Sequence, residues 1–90
     1  MVDRENIFTQ EAKLEFHKAL CFMDFIGKKE LFWDDTEKQL ELIKQFPNAF
    51  QIKYKSIRIV SLEHFNYSLH YQVFEDYNLI HSFLNQSQNF

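Results

Sequence analysis

The sequence predicts an α+β fold: a helical hairpin packed on one face of a twisted antiparallel sheet of three or four strands, in the order β-α-α-β-β-β. Three observations carry this. Apolar residues recur at intervals of three and four through the first half of the chain, the spacing of amphipathic helices. The single proline, Pro47, closes that half. Residues 54–74, YKSIRIVSLEHFNYSLHYQVF, then alternate at a period of two, with many β-branched and aromatic residues and neither glycine nor proline.

Taken in order, residues 6–9 set Ile7 beside Phe8 and predict a brief edge strand. Thr9 is placed to cap a helix, and Glu11 falls in the first turn, where the helix dipole favours it. From 10 to 26 the stripe is Ala12, Phe16, Ala19, Leu20, Met23 and Ile26. Gly27 follows as a C-cap in the left-handed conformation. A second helix runs from about 29 to 46, with Phe32, Thr36, Leu40, Ile43 and Phe46 on its stripe. Glu37, Lys38, Glu41 and Lys44 decorate its outside. Asp34-Asp35-Thr36 lowers helix propensity locally and predicts a kink or a delayed start. Pro47 ends the helix, because its ring cannot continue the hydrogen-bond ladder.

The sheet follows. Residues 57–62 and 67–74 are two strands joined by a bend at 64–66, with 50–54 as a strand extension leading in. In the second strand Tyr67, Leu69, Tyr71 and Val73 share the core face. Ser68, His70 and Gln72 face solvent or a partner. Polar residues 75–78 make another turn, and 79–84 is the last strand. The predicted core is Phe8, Ala12, Phe16, Leu20, Met23, Leu40, Ile43, Tyr67, Leu69, Tyr71 and Val73. The tail, NQSQNF, reads as a frayed end or as a segment that docks Phe90 into a groove.

Ninety residues make one domain with a modest core. Eleven Phe, four Tyr and one Trp allow that core to be built from few residues, with aromatic surface left for a partner. Residues 1–46 carry seven Lys/Arg against ten Asp/Glu, and residues 47–90 carry three of each. No basic face announces a nucleic-acid binder, so direct DNA binding by this chain alone is not expected. A lone cysteine, the lack of a signal-peptide pattern and the lack of a long apolar run predict a cytoplasmic protein without membrane attachment.

Side chains able to carry chemistry are sparse. His17, His64, His70 and His81 include no metal-ligand pair at helical spacing, and no second cysteine completes a zinc set. His70 and His81 fall about equally far from the last turn and so onto adjacent strands, one ligand short of a site. Neither a metal nor another cofactor is expected. Cys21 reads as a buried structural thiol within the first helix. No glycines flank any serine as a nucleophile elbow requires. The adjacent carboxylates Asp34-Asp35 and Glu75-Asp76 read as a solvated helix face and a turn.

The order Pro47, Tyr54-Lys55-x-Ile57-Arg58, Phe65-x-Tyr67-x-Leu69-x-Tyr71-x-Val73 and Glu75-Asp76 resembles bacterial type II toxins of the RelE/ParE superfamily. The resemblance covers about residues 6–86. It implies a toxin held in check by a cognate antitoxin protein, whose helix and strand wrap it across an apolar groove. Ribonuclease members cut messenger RNA on the ribosome with cations on the sheet face and near the C-terminus. Here Arg58, with Lys53 and Lys55 nearby, is the one basic cluster on matching ground and the one weak catalytic candidate. Ser68 stands where such members place an arginine, and Asn85, Ser87 and Gln88 stand where their late cations fall. The resemblance therefore implies the ParE-like branch, which inhibits DNA gyrase by binding. Its alternatives are the ribosome-dependent endoribonuclease and a non-toxic relative that still binds an antitoxin. The expected partner contacts are Lys53, Lys55, Arg58, His70, Phe83 and Phe90. Arg58 reads equally as a structural residue paired with a helix carboxylate.

Overall fold

The computed structural model describes residues 4–86. In chain order these form β1 (Glu5–Phe8), α1 (Gln10–Phe25), α2 (Lys29–Gln45), β2 (Ile52–Tyr54), β3 (Ile57–Ser61), β4 (Tyr67–Val73) and β5 (Tyr77–Asn85). The predicted α+β architecture is present, with two differences. The sheet has five strands in the order β1-β5-β4-β3-β2, because residues 52–54 form a strand of their own. It is also mixed, since β1 runs parallel to β5. Side-chain alternation reports which residues share a face and is silent on which way a neighbouring strand runs.

Local chemistry fixes the ends of α1. The Thr9 hydroxyl accepts a hydrogen bond from the Ala12 N–H at 3.1 Å and donates one to the His81 carbonyl at 3.0 Å. One side chain thus caps the helix and ties it to β5. At the other end Gly27 adopts φ +76°, as its place after the stripe predicts. Lys28 N–H donates to Met23 O and Gly27 N–H to Asp24 O, the paired bonds of a Schellman motif. The turn leaves Ile26 at the helix end, exposed instead of completing the stripe.

Helix α2 is continuous through Asp34-Asp35-Thr36, with no delayed start. One bond within the helix and two to the β3–β4 bend satisfy the polar side chains there. The Thr36 hydroxyl donates to the Phe32 carbonyl one turn back at 2.9 Å. Asp35 is buried, contrary to the expected solvated face, and accepts the Glu63 and His64 N–H groups at 3.0 and 2.8 Å. It therefore holds the bend between β3 and β4 against α2. Near the other end of α2, Asn6 and Asn78 donate to the Leu40 and Ile43 carbonyls at 2.8 and 2.9 Å. Asn78 belongs to β5 and is fully buried, so the turn expected at 75–78 is shorter by two residues. Arg4 closes that turn, donating to the carbonyls of Phe74, Glu75 and Tyr77 and to Asn78 Oδ1.

Between the hairpin and the sheet lies an aromatic core. Phe32 is its hub, with ring centroids 6.0 Å from Phe16, 5.2 Å from Phe65, 5.4 Å from Tyr67 and 5.8 Å from Phe83. All eleven residues predicted for the core are buried or pack partly buried against it. Phe46 is the exception on the predicted α2 stripe; it is the C-cap residue and is exposed.

Candidate partner-binding site

Of the six residues expected to meet a partner, the five that are described do not form one surface. Lys53 and Lys55 are exposed, on β2 and on the tight turn that follows it. Arg58 is only half exposed, and its guanidinium donates to the Phe50 carbonyl and to Asn48 Oδ1. It grips the loop between α2 and β2, in place of the helix carboxylate expected for a structural arginine. Arg58 stands opposite Tyr71 in the β3–β4 register. The Tyr71 hydroxyl donates to Pro47 O at 3.0 Å, so both side chains hold the same loop. Burial pushes the Tyr71 hydroxyl up to about 12, and the nearby Arg58 charge partly opposes this.

His70 and Phe83 are inside the molecule. His70 does lie on the sheet face away from the helices, as its alternation predicts, but β2 brings Tyr54 over it. The Tyr54 hydroxyl and His70 Nδ1 are 2.8 Å apart. Burial lowers the His70 pKa and favours the neutral ring. Phe83 is 2% exposed and packs on Phe16, Phe32 and Tyr67. The pairing Leu69↔Phe83 puts it on the helix side. That register depends on a bulge at His81, between the pairs His70↔Ser82 and Tyr71↔Ile80, which no alternation pattern reveals. Phe90 lies outside the described residues, as do Ser87 and Gln88.

The remaining reactive groups are scattered. His81 Nε2 and Gln72 Oε1 are 3.0 Å apart. Cys21 is exposed, against the buried thiol expected, with its Sγ 3.7 Å from His17 Nε2 one turn earlier. It sits between stripe residues on the side of α1 that faces away from the core. Among the described residues no three His, Cys, Asp or Glu side chains are placed to hold a metal ion. Ser68 is fully buried, and its hydroxyl has no hydrogen-bond partner among the described residues. Among the described residues no helix is long and apolar enough to cross a membrane.

A continuous concave surface does exist, along the side of the helical hairpin. It is a groove of about 520 Å³ between α1, α2 and β1, floored by Phe8, Phe16, Leu20 and Leu40. Trp33, 44% exposed, and Ile7 stand at its rim, and Lys13, His17 and Glu37 supply polar groups. Trp33 is fixed by a tilted contact with Phe16 at 5.7 Å. Strand β1 borders the groove and is an edge of the sheet, so one side of its backbone is open to another extended chain. Trp33 escapes the predicted stripe because it follows Phe32 by one residue, which turns it about 100° around the helix.

The sequence matches no family model, and no curated protein is significantly similar to it. The structure is similar to a chain of the chromosomal ParDE TA system from P. aeruginosa, with a TM-score of 0.75 and 16% identity. The match covers 92% of this chain and 96% of that one. At this identity the likeness is one of fold, and it extends over nearly the whole length of both chains.

Proposed function

We propose that this chain is the toxin of a type II toxin–antitoxin pair and that it acts by binding its target. The observation that carries the reading is the fold shared with a chain of the ParDE system over nearly all of both lengths. The groove supports an antitoxin as partner. An apolar helix would lie against Phe8, Phe16, Leu20 and Leu40, and an extended segment would add to β1. Trp33 has the character of an anchor: a large, rigid side chain at the mouth of a concave apolar surface.

Binding is favoured over RNA cleavage by the state of the cations. Cleavage of a phosphodiester needs positive charge aimed at the reacting phosphate, commonly several kcal/mol per group. Arg58 is engaged with Phe50 and Asn48, which leaves Lys53 and Lys55 as the exposed cations of this region. DNA gyrase is the proposed target, on the ParE-like side of the resemblance.

Induction of the protein without a neighbouring gene's product tests the reading. Growth arrest with intact messenger RNA and inhibited supercoiling is the expected result. Codon-positioned cleavage that Arg58→Ala abolishes would replace it with the ribonuclease reading. Absence of any growth effect would leave a non-toxic antitoxin binder. For the groove, Trp33→Asp is expected to weaken antitoxin binding by about 2 kcal/mol or more. Unchanged affinity would move the antitoxin elsewhere.

A further inference from the structure

We infer that the partner helix seated in the groove between α1, α2 and β1 is basic, with Lys or Arg along the flank that meets α2. This rests on the groove being the antitoxin's seat, and it adds the chemistry of what sits there. The two helical walls of the groove have the same spacing. They are positions 13, 16, 17 and 20 on α1 and positions 33, 36, 37 and 40 on α2. Each set is one face of about two helical turns. Together they offer ridges between which a third helix packs.

The walls differ in charge. Lys13 and His17 stand on the α1 side and Glu37 on the α2 side. Past Glu37 the groove continues, over the shared Asn6 and Leu40, into a second cleft of about 630 Å³ between α2 and β1. Asp34, Glu37 and Glu41 line it from one face of α2, at steps of three and four, and Glu5 lines it from β1. All four acids are exposed, and among the described residues none of them is in an ion pair. Lys38 also lines the cleft, but its ammonium is held by Glu63 of the β3–β4 bend at 3.0 Å, which leaves Lys44 as the other cation there. Like charges at this spacing destabilise a helix, and these directly border an apolar groove with Trp33 exposed at its rim. A partner helix with its apolar side on Phe16, Leu20 and Leu40 brings one flank against the carboxylates. Lys or Arg on that flank is attracted, and Asp or Glu is repelled.

Fluorescence anisotropy of the full chain with two synthetic, hydrocarbon-stapled helical peptides of about four turns tests this. Both peptides carry Leu along one face. One has Lys on both flanks and its twin has Glu at the same positions, so the outcome does not depend on the direction in which the helix lies. The Lys peptide is expected to bind about tenfold or more tighter than its twin at low salt, with the difference shrinking as salt is added. Glu37→Lys together with Glu41→Lys alters two exposed side chains and should abolish or reverse the preference, with circular dichroism to confirm folding. Trp33→Asp should weaken binding of the Lys peptide by about tenfold or more, which places it in the groove. Twins that bind equally, a tighter Glu peptide, or a preference indifferent to the double reversal overturns the inference. So does the binding of neither peptide. Growth arrest and messenger RNA are not read here, so the toxin reading stands or falls by its own experiment.

Discussion

At the scale of single residues, buried polar groups decide how the layers are joined. Asp35 is the clearest case, because one carboxylate satisfies two N–H groups of the β3–β4 bend from the middle of a helix. Asp35→Ala leaves both donors without their acceptor and is expected to destabilise the fold by about 2 to 3 kcal/mol. Asp35→Asn, which keeps an acceptor oxygen, should recover part of that in urea denaturation. Equal losses for the two variants would show that the bend does not depend on the carboxylate. His70 gives a dependence on pH. Burial depresses its folded-state pKa below 6.5, so its contribution is complete above that value, where the ring is neutral in both states. As pH falls below it, the unfolded chain takes up the proton first and stability declines towards the folded pKa. His70→Gln should flatten the decline in denaturation midpoints between about pH 7 and about pH 5, and an unchanged slope would assign the decline to other groups.

At the scale of elements, the β2–β3 hairpin is held by a turn its sequence suits poorly. Tyr54 pairs with Ile57, and the two residues between them, Lys55 and Ser56, have φ of 42° and 67°. Two positive φ values in a two-residue loop are the type I′ pattern, which favours Asn-Gly. Lys55→Asn with Ser56→Gly is expected to gain about 1 kcal/mol without changing the denaturant slope, and a loss of stability would contradict this backbone account. The same hairpin marks the limit of what alternation reveals. Strands β3 and β4 were legible almost to the residue, because one of their faces is apolar and a shift by one residue would expose it. The helix ends were legible from Thr9, Gly27 and Pro47, whose backbone preferences act locally. Strand β2, the parallel β1–β5 edge and the bulge at His81 were not, since each is settled by contacts distant in sequence. For the same reason His70 and Phe83 were read as accessible and Asp35 as solvated. The expected apolar groove is present, but Trp33 at its rim was not anticipated.

For the whole molecule, a core made of rings explains how so short a chain can stabilise five strands and two helices while keeping apolar residues outside. Phe32 joins α2 to α1 through Phe16, to the β3–β4 bend through Phe65, and to β4 and β5 through Tyr67 and Phe83. Truncation there removes contacts from every layer at once, and neighbouring rings fixed by their own backbones cannot collapse into the space. Phe32→Ala is expected to cost about 3 to 5 kcal/mol, a large share of the roughly 5 to 15 kcal/mol that domains of this kind possess. Phe32→Leu, which keeps most of the volume, should cost about 1 to 2 kcal/mol. Phe25 supplies the contrast, since it is the same residue type on the outward side of α1. Phe25→Ala should leave the stability of the monomer within about 0.5 kcal/mol of wild type. Urea denaturation of the three variants measures the difference. Comparable losses at positions 25 and 32 would mean that the outward ring belongs to the core.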